Sequence, residues 1–317
     1  MAEASEGIWI WDAIDSSYFV LQVHLCMILG DVLGSAKLSG MAGHSAVYGD
    51  HFSNVKGACS STNKGAKAQY YPMSPPDTVD LKYNKNRIVY DIRNIPICTE
   101  EEYWITIEKL EMSRGLNKHS KVAEIVKQTG VSHLPLCAAS KAFAHPTFFP
   151  PNPFHLLYEN IMAFLWDLWV KSKPTDPYYI SEEQLRKFGE LVALAMSTLP
   201  PSFHGPIHDP FLKHNSQYKI YEWMALLHWY ILPIGMELQW NPLVLQNFSY
   251  FVCAVEFAMT IKARSENEIL YLQELIITFL KGFKQLYVGK NPENIFKARL
   301  CVFQLIYVPQ HIVWNAQ

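Results

Sequence analysis

The segment Ser265–Phe283, SENEILYLQELIITFLKGF, decides the architecture of the second half of the chain. Its apolar residues recur at helical spacing and predict one buried face of an amphipathic helix. Ser265 with Glu268 three residues later is a typical helix start. The apolar face consists of Leu270, Leu272, Leu275, Ile276, Phe279, Leu280 and Phe283. We therefore predict a helix over about 265–287 that packs against neighbouring helices.

Five further helices are predicted along this half, which makes residues 151–317 an all-α domain. Ser181 and Asn241 are N-cap residues with an acid or a proline behind them. The predicted helices lie near 154–171, 181–198, 219–235, 241–263 and 293–308. The longest apolar run, Trp223–Met236, carries His228 and is shorter than a membrane span, so we interpret it as a buried helix and expect no membrane association.

Composition limits the classes of protein to which the chain can belong. Half of its 317 residues are hydrophobic and 18% are charged, which supplies ample material for a core. The formal net charge of -2 argues against a dedicated nucleic-acid binder. None of the six cysteines stands at C-x-x-C spacing, and the start of the chain lacks the apolar core of a signal peptide, so an intracellular location is expected.

Residues 1–150 mix strand and helix signals. A β-prone run, Ile8–Trp11, is followed by a longer apolar run, Tyr18–Leu29, which Gly30-Asp31 ends. Periodicity leaves the second run open between helix and strand, and its last part, Leu25–Leu29, fits a buried strand. Two helices follow, near 99–114, with a capping box at its start, and near 118–129, before a glycine.

A locally basic segment, Val55–Arg93, carries seven Lys and Arg residues against three Asp. One interpretation is a solvated loop; the other is a phosphate-contacting surface, because tyrosines lie among the cations. The candidate DNA-binding residues are Lys64, Lys67, Lys82, Lys85 and Arg87.

Six short elements along the chain resemble, in order, the central part of fungal CACTA-type transposon transposases. The first comprises Gly7–Ala13 (GIWIWDA), Tyr18–Leu21, Leu29-Gly-Asp31 and Lys37–Ser45 (KLSGMAGHS). The others are Lys56-Gly57 with Tyr70–Pro76, Thr129–Pro135 (TGVSHLP), Phe149–Asn160 (FPPNPFHLLYEN), Leu168-Trp169 and Tyr218–Trp223 (YKIYEW). Each element alone is unspecific, but their common order covers nearly the whole chain.

This resemblance implies an RNase H-like fold that cleaves and transfers DNA strands in the nucleus. In such enzymes two Asp and one Glu hold two Mg²⁺ ions, which activate the attacking oxygen and stabilise the leaving one. Asp31 occupies the position of the second carboxylate, and His44 and His155 occupy two other positions that the family shares. The implied fold is α+β, an incomplete RNase H-like sheet followed by a large all-α helical insertion.

The chain departs from the family pattern at the other two carboxylates. Only Met1–Glu6 precede the first matched strand, and the chain ends at Gln317 before the element that carries the Glu. The family's C-x-x-C reads Asp50-His-Phe-Ser53, and the acid of its D-x-M-H element is Asn152. We therefore expect a truncated, catalytically inactive transposase-derived protein that holds Mg²⁺ weakly if at all at Asp31.

Two alternatives remain open at this stage. The first is a helical DNA- or protein-binding module that lacks catalysis, and the second is an exon fragment of an active transposase. A separate group of polar residues, His204, His208, Asp209 and His214, has metal-like spacing, but Gly205, Pro206 and Pro210 rule out a helix there and favour a polar loop.

Overall fold

A computed structural model describes residues 5–59, 68–70, 88–196, 205–213 and 218–314. The chain divides into two compact units. The first, which we call the mixed unit, contains Met1–Cys59, Lys64–Ala68 and Arg93–Asn152. The second, the helical unit, contains Ser60–Asn63, Gln69–Ile92 and Pro153–Gln317. The expected α+β class is confirmed, with a small antiparallel sheet and many helices.

The sheet of the mixed unit is a hairpin of β1 (Ile8–Asp12) and β2 (Ser17–Leu21). The strands pair antiparallel, with Trp9 opposite Val20 and Trp11 opposite Tyr18. At the turn, Asp12 Oδ1 accepts backbone N–H groups from Ile14 and Asp15 at 2.8 and 3.3 Å. Within the described residues the sheet has these two strands.

Among the described residues, three α-helices follow the hairpin in this unit: α1 (Val32–Ser39), α2 (Glu100–Gly115) and α3 (His119–Thr129). The capping box predicted at Thr99 and Glu102 is present at the start of α2, and α3 ends at Gly130, whose φ of 75° is left-handed. Buried Tyr103, Ile107 and Leu110 form one face of α2, against which α3 packs partly buried apolar residues. A 3₁₀ turn spans Leu136–Ala139.

The helical unit consists of helices, several of which contain a π-helical segment. A π segment, Phe154–Met162, runs into α4 (Ala163–Val170), and α5 (Glu182–Met196) and α6 (Pro210–Lys213) follow. Next come α7 (Ile220–Ala225), a π segment (Leu226–Tyr230), α8 (Ile231–Glu237), α9 (Pro242–Met259), α10 (Glu266–Phe283) and a third π segment (Lys284–Val288). The last elements are 3₁₀ turns at Pro292–Lys297 and Gln304–Tyr307, with α11 (Leu300–Phe303) and α12 (Val308–Trp314).

The core of the helical unit is aromatic. Trp166 and Trp169 are fully buried, and Trp169 Nε1 donates to the hydroxyl of buried Tyr287 at 3.0 Å. The apolar face predicted on α10 is buried except at Leu270, which is exposed. One described helix, α9, is long and apolar enough to cross a membrane, but a face of it is buried inside the unit, as in a core helix.

One expectation for the mixed unit is wrong. Leu25–Leu29 forms no strand, and residues 22–29 have no regular secondary structure. The physical reason is a shortage of pairing: a strand needs a ladder of backbone hydrogen bonds. Here the segment makes one backbone hydrogen bond with another described segment, from Ile28 to Phe148, and Gly30 adds a single bridge to Pro151.

Candidate functional site

Asp31 follows an extended segment that lies beside residues 148–151 in the mixed unit. The Ile28 N–H donates to the Phe148 carbonyl at 2.9 Å, and Gly30 forms a parallel bridge with Pro151. Leu25 and Ile28 pack against the buried cluster of Cys137, Phe148 and Phe149. The acid therefore stands at the end of a short parallel pairing, where the backbone turns into helix α1.

The carboxylate of Asp31 caps this helix. Its Oδ1 accepts the backbone N–H of Gly34, and its carbonyl accepts the N–H of Ser35 at 2.8 Å. The residue has extended backbone angles, φ -66° and ψ 166°, as an N-cap residue should. One oxygen of the side chain is thus committed to satisfying a helix N–H group.

The surroundings of Asp31 do not fit the two Mg²⁺ ions that the family resemblance implies. A two-metal site needs several carboxylates that converge on ions about 4 Å apart. Across the described parts of the chain, no group of three or more His, Cys, Asp or Glu side chains has an arrangement that could hold a metal ion. The described residues around Asp31 therefore do not fit a two-metal site.

His44 lies partly buried in a turn that leads into a buried polar cluster. In that cluster the Ser53 hydroxyl donates to Asp50 Oδ2 at 2.5 Å, and both side chains are buried. His51 Nε2 lies 3.2 Å from the Ala42 carbonyl, and burial lowers the pKa of His51 despite this bond. Asp50 and Ser53, which occupy the family's C-x-x-C positions, thus form a hydrogen bond with each other that stabilises the turn.

The segment that follows this polar cluster contacts the start of α2. Glu102 Oε2 accepts from the Thr99 N–H and from Asn54 Nδ2, both at 3.1 Å, and these bonds lower the pKa of Glu102. Cys98 Sγ lies 3.4 Å from Asn54 Oδ1, and burial raises the pKa of this thiol to about 12. A thiol with so high a pKa stays protonated at neutral pH and is a poor nucleophile.

His155 lies in the helical unit, on the π segment before α4. Its Nε2 is 3.4 Å from Glu159 Oε2, one turn further along, and both side chains are partly exposed. Tyr158, on the same segment, lies with its hydroxyl 3.1 Å from His228 Nε2, and His228 Nδ1 is 3.5 Å from Glu256 Oε1. Burial raises the pKa of Tyr158 to about 12, so its hydroxyl stays neutral and serves as a hydrogen-bonding group.

The helical unit contains a buried carboxylate, Glu222, that the sequence patterns did not indicate. Glu222 is fully buried and accepts from the His208 N–H, from His208 Nδ1 and from the Lys219 N–H, each at 2.8 Å. The ring of His208 is about half exposed. The resemblance had marked Glu222 only as part of a helix start. Its partner lies 14 residues away across a Pro-containing loop, and helical periodicity carries no signal for such a contact.

The candidate DNA-binding residues Lys64, Lys67, Lys82, Lys85 and Arg87 lie outside the described residues. His204 and His214, two of the four polar residues near His208, lie outside them as well.

Comparison with known proteins returns no relative. No protein-family model matches the chain, and no curated protein or solved structure matches it either.

Proposed function

We propose that this chain derives from a DNA transposase of the Asp-Asp-Glu class and has lost strand-transfer chemistry. It acts in the nucleus by binding DNA. The observation that carries the proposal is the position and use of Asp31. This acid follows the short parallel pairing of residues 28–30 with 148–151, as a carboxylate at a strand end would. Its side chain, however, is engaged as the cap of α1.

The parallel pairing supports an RNase H-like ancestry. Parallel neighbours cannot be joined by a tight turn and need a long crossover connection. Residues 31–147, which include α1, α2 and α3, separate the two paired segments here. The hairpin, the isolated parallel contact before Asp31 and the helical unit follow one another along the chain in the order expected for an RNase H-like region followed by a helical insertion.

The binding role follows from the family's partners, which a chain without catalytic activity could still bind. The family's partners are DNA and other protein chains. The locally basic segment Val55–Arg93 gives DNA a point of contact, with weak affinity because the chain as a whole is slightly acidic. The alternative is a helical module for protein partners.

A plasmid-cleavage assay tests the proposal. Purified full-length chain is incubated with supercoiled plasmid in Mg²⁺ or Mn²⁺ beside Asp31→Ala. We expect both proteins to leave the plasmid supercoiled, because Asp31 is engaged as a helix cap and the described residues contain no group of three or more His, Cys, Asp or Glu that could hold a metal ion. Metal-dependent nicking by the wild type that disappears in Asp31→Ala would overturn the proposal.

A further inference from the structure

The hairpin of the mixed unit is apolar on both of its faces. Because opposite residues of an antiparallel pair share a face, the register places Trp9, Trp11, Tyr18 and Val20 on one side. Ile8, Ile10, Phe19 and Leu21 lie on the other side. A strand pair with two apolar faces is typical of the interior of a sheet. Two strands alone are marginally stable in water.

The face that carries the two tryptophans, which we call the aromatic face, is the more exposed of the two. Trp9 is 70% exposed, Trp11 51%, Tyr18 65% and Val20 46%. The Trp11 and Tyr18 rings pack edge to face with centroids 5.0 Å apart, so they form an ordered platform. Exposed Trp and Tyr side chains that form such a patch mark interaction surfaces and supply most of the binding free energy at their centres.

We propose that the aromatic face pairs with the same face of a second copy of this chain. With large aromatic side chains burying about 150–250 Å² each, the exposed fractions amount to roughly 500 Å² per copy. With these surfaces fully buried, two copies would bury about 1,000 Å², which is near the lower limit for a specific, weak interface. This inference does not depend on the proposed transposase ancestry.

The uncharged aromatic face is compatible with an identical partner, and the acids at the turn favour one orientation of the two copies. The four side chains of the aromatic face are uncharged, so two copies meet without like-charge repulsion. The acids of the hairpin, Asp12 and Asp15, lie at its turn. A two-fold, antiparallel arrangement places these turns at opposite ends of the interface. The same acids oppose docking onto an anionic lipid surface, which otherwise attracts exposed Trp and Tyr side chains.

Sedimentation velocity over a concentration series of the full chain tests the proposal. We expect a monomer–dimer equilibrium in the micromolar range. Trp9→Lys is expected to raise the dissociation constant at least tenfold, because it places a charge in the interface on both copies. The control is Ile261→Lys in the helical unit, a fully exposed position whose change should leave the constant within twofold of wild type.

A charge-complementation experiment separates loss of the interface from loss of folding. Trp9→Lys and Trp11→Glu are mixed in equal amounts, because the antiparallel arrangement places position 9 of one copy opposite position 11 of the other, and we expect the mixture to dimerise more tightly than either variant alone. A wild type that is monomeric at all concentrations, or that forms open-ended aggregates without a dimer plateau, overturns the proposal. So does a monomer whose binding to neutral phosphatidylcholine vesicles is lost in Trp9→Lys, since the face would then be a lipid surface.

Discussion

The carboxylate of Asp31 accepts the backbone N–H of Gly34, three residues further along the chain. A Cβ at Gly34 would lie 2.8 Å from Asp31 Oδ1 in this arrangement, so the carboxylate lies close against the backbone of the first turn. The acid that the family resemblance assigns to metal binding is therefore used in the described structure to begin helix α1.

The end of α1 gives a prediction about the mixed unit. Gly40 has a φ of 69°, and a Cβ there would lie 2.2 Å from the His133 carbonyl. Gly40→Ala should lower the free energy of unfolding by about 1–3 kcal/mol or more, from backbone strain and the clash. Gly43→Ala is the matched control, since nothing lies within 4 Å of its Cβ position. Urea unfolding that shows equal effects for the two would contradict this account of the turn.

Buried histidines make the mixed unit sensitive to acid. Burial lowers the pKa of His145 to about 3, with a smaller contribution from His51, whose own pKa burial also lowers. An unfolded histidine has a pKa of about 6.5, so the unfolded state binds protons first as the pH falls. The contribution of the neutral histidines to the free energy of unfolding is fully present above pH 6.5. It is lost between about pH 6.5 and 3, by up to about 1.4 kcal/mol per pH unit for each histidine.

The measurement is the free energy of unfolding against pH for wild type and His145→Phe. Phenylalanine can keep the stack on Tyr103, whose ring centroid lies 4.2 Å from that of His145, and it does not titrate. We expect a shallower loss of stability on acidification in the variant. An unchanged slope would show that His145 takes no part in the acid response.

Glu222 should contribute more to the stability of the helical unit than a partly exposed capping glutamate. Glu222→Ala leaves three buried or partly buried donors without their acceptor and should cost about 2–4 kcal/mol. The control is Glu268→Ala at the start of α10, which occupies the same helix position but is partly exposed, and a smaller loss is expected. Chemical unfolding monitored by tryptophan fluorescence compares the two; a larger loss in Glu268→Ala would refute the assignment.

Weak DNA binding through Val55–Arg93 stays a prediction. A variant with the charges of Lys64, Lys67, Lys82, Lys85 and Arg87 removed should bind duplex DNA less tightly than wild type. The affinity of the wild type should fall with salt at a log–log slope of about -0.9 per phosphate contacted. The control is a variant that lacks five exposed lysines elsewhere in the mixed unit, Lys109, Lys118, Lys121, Lys127 and Lys141. Equal binding by wild type and the first variant in fluorescence anisotropy would exclude this segment as a DNA surface.

Helix ends were the most predictable part of the fold, because local chemistry fixes them. The capping boxes at Thr99 and Ser265 and the glycine at 130 mark their helices in the sequence as they do in the structure. The π segments were not predictable, because a change from four- to five-residue hydrogen bonding leaves the apolar spacing nearly unchanged.

The segments outside the helices were less predictable, because their conformation depends on contacts with residues far away in the sequence. Leu25–Leu29 has the composition of a buried strand, but its conformation depends on residues 148–151, more than a hundred positions away. The position of Asp31 after this segment was readable from the sequence. Its use as a helix cap was not singled out, because an acid at the end of an apolar run suits a cap and a metal ligand equally well.

Substitution of Asp31, with metal present and absent, tests the central claim most directly. Unfolding free energies are measured for wild type, Asp31→Asn and Asp31→Ala with and without Mg²⁺. If Asp31 is a cap, Asp31→Ala costs about 0.5–2 kcal/mol, Asp31→Asn stays close to wild type because asparagine also caps, and Mg²⁺ stabilises none of the three proteins selectively. A Mg²⁺-dependent stabilisation of the wild type that both variants lose would contradict the claim and identify Asp31 as a working metal ligand.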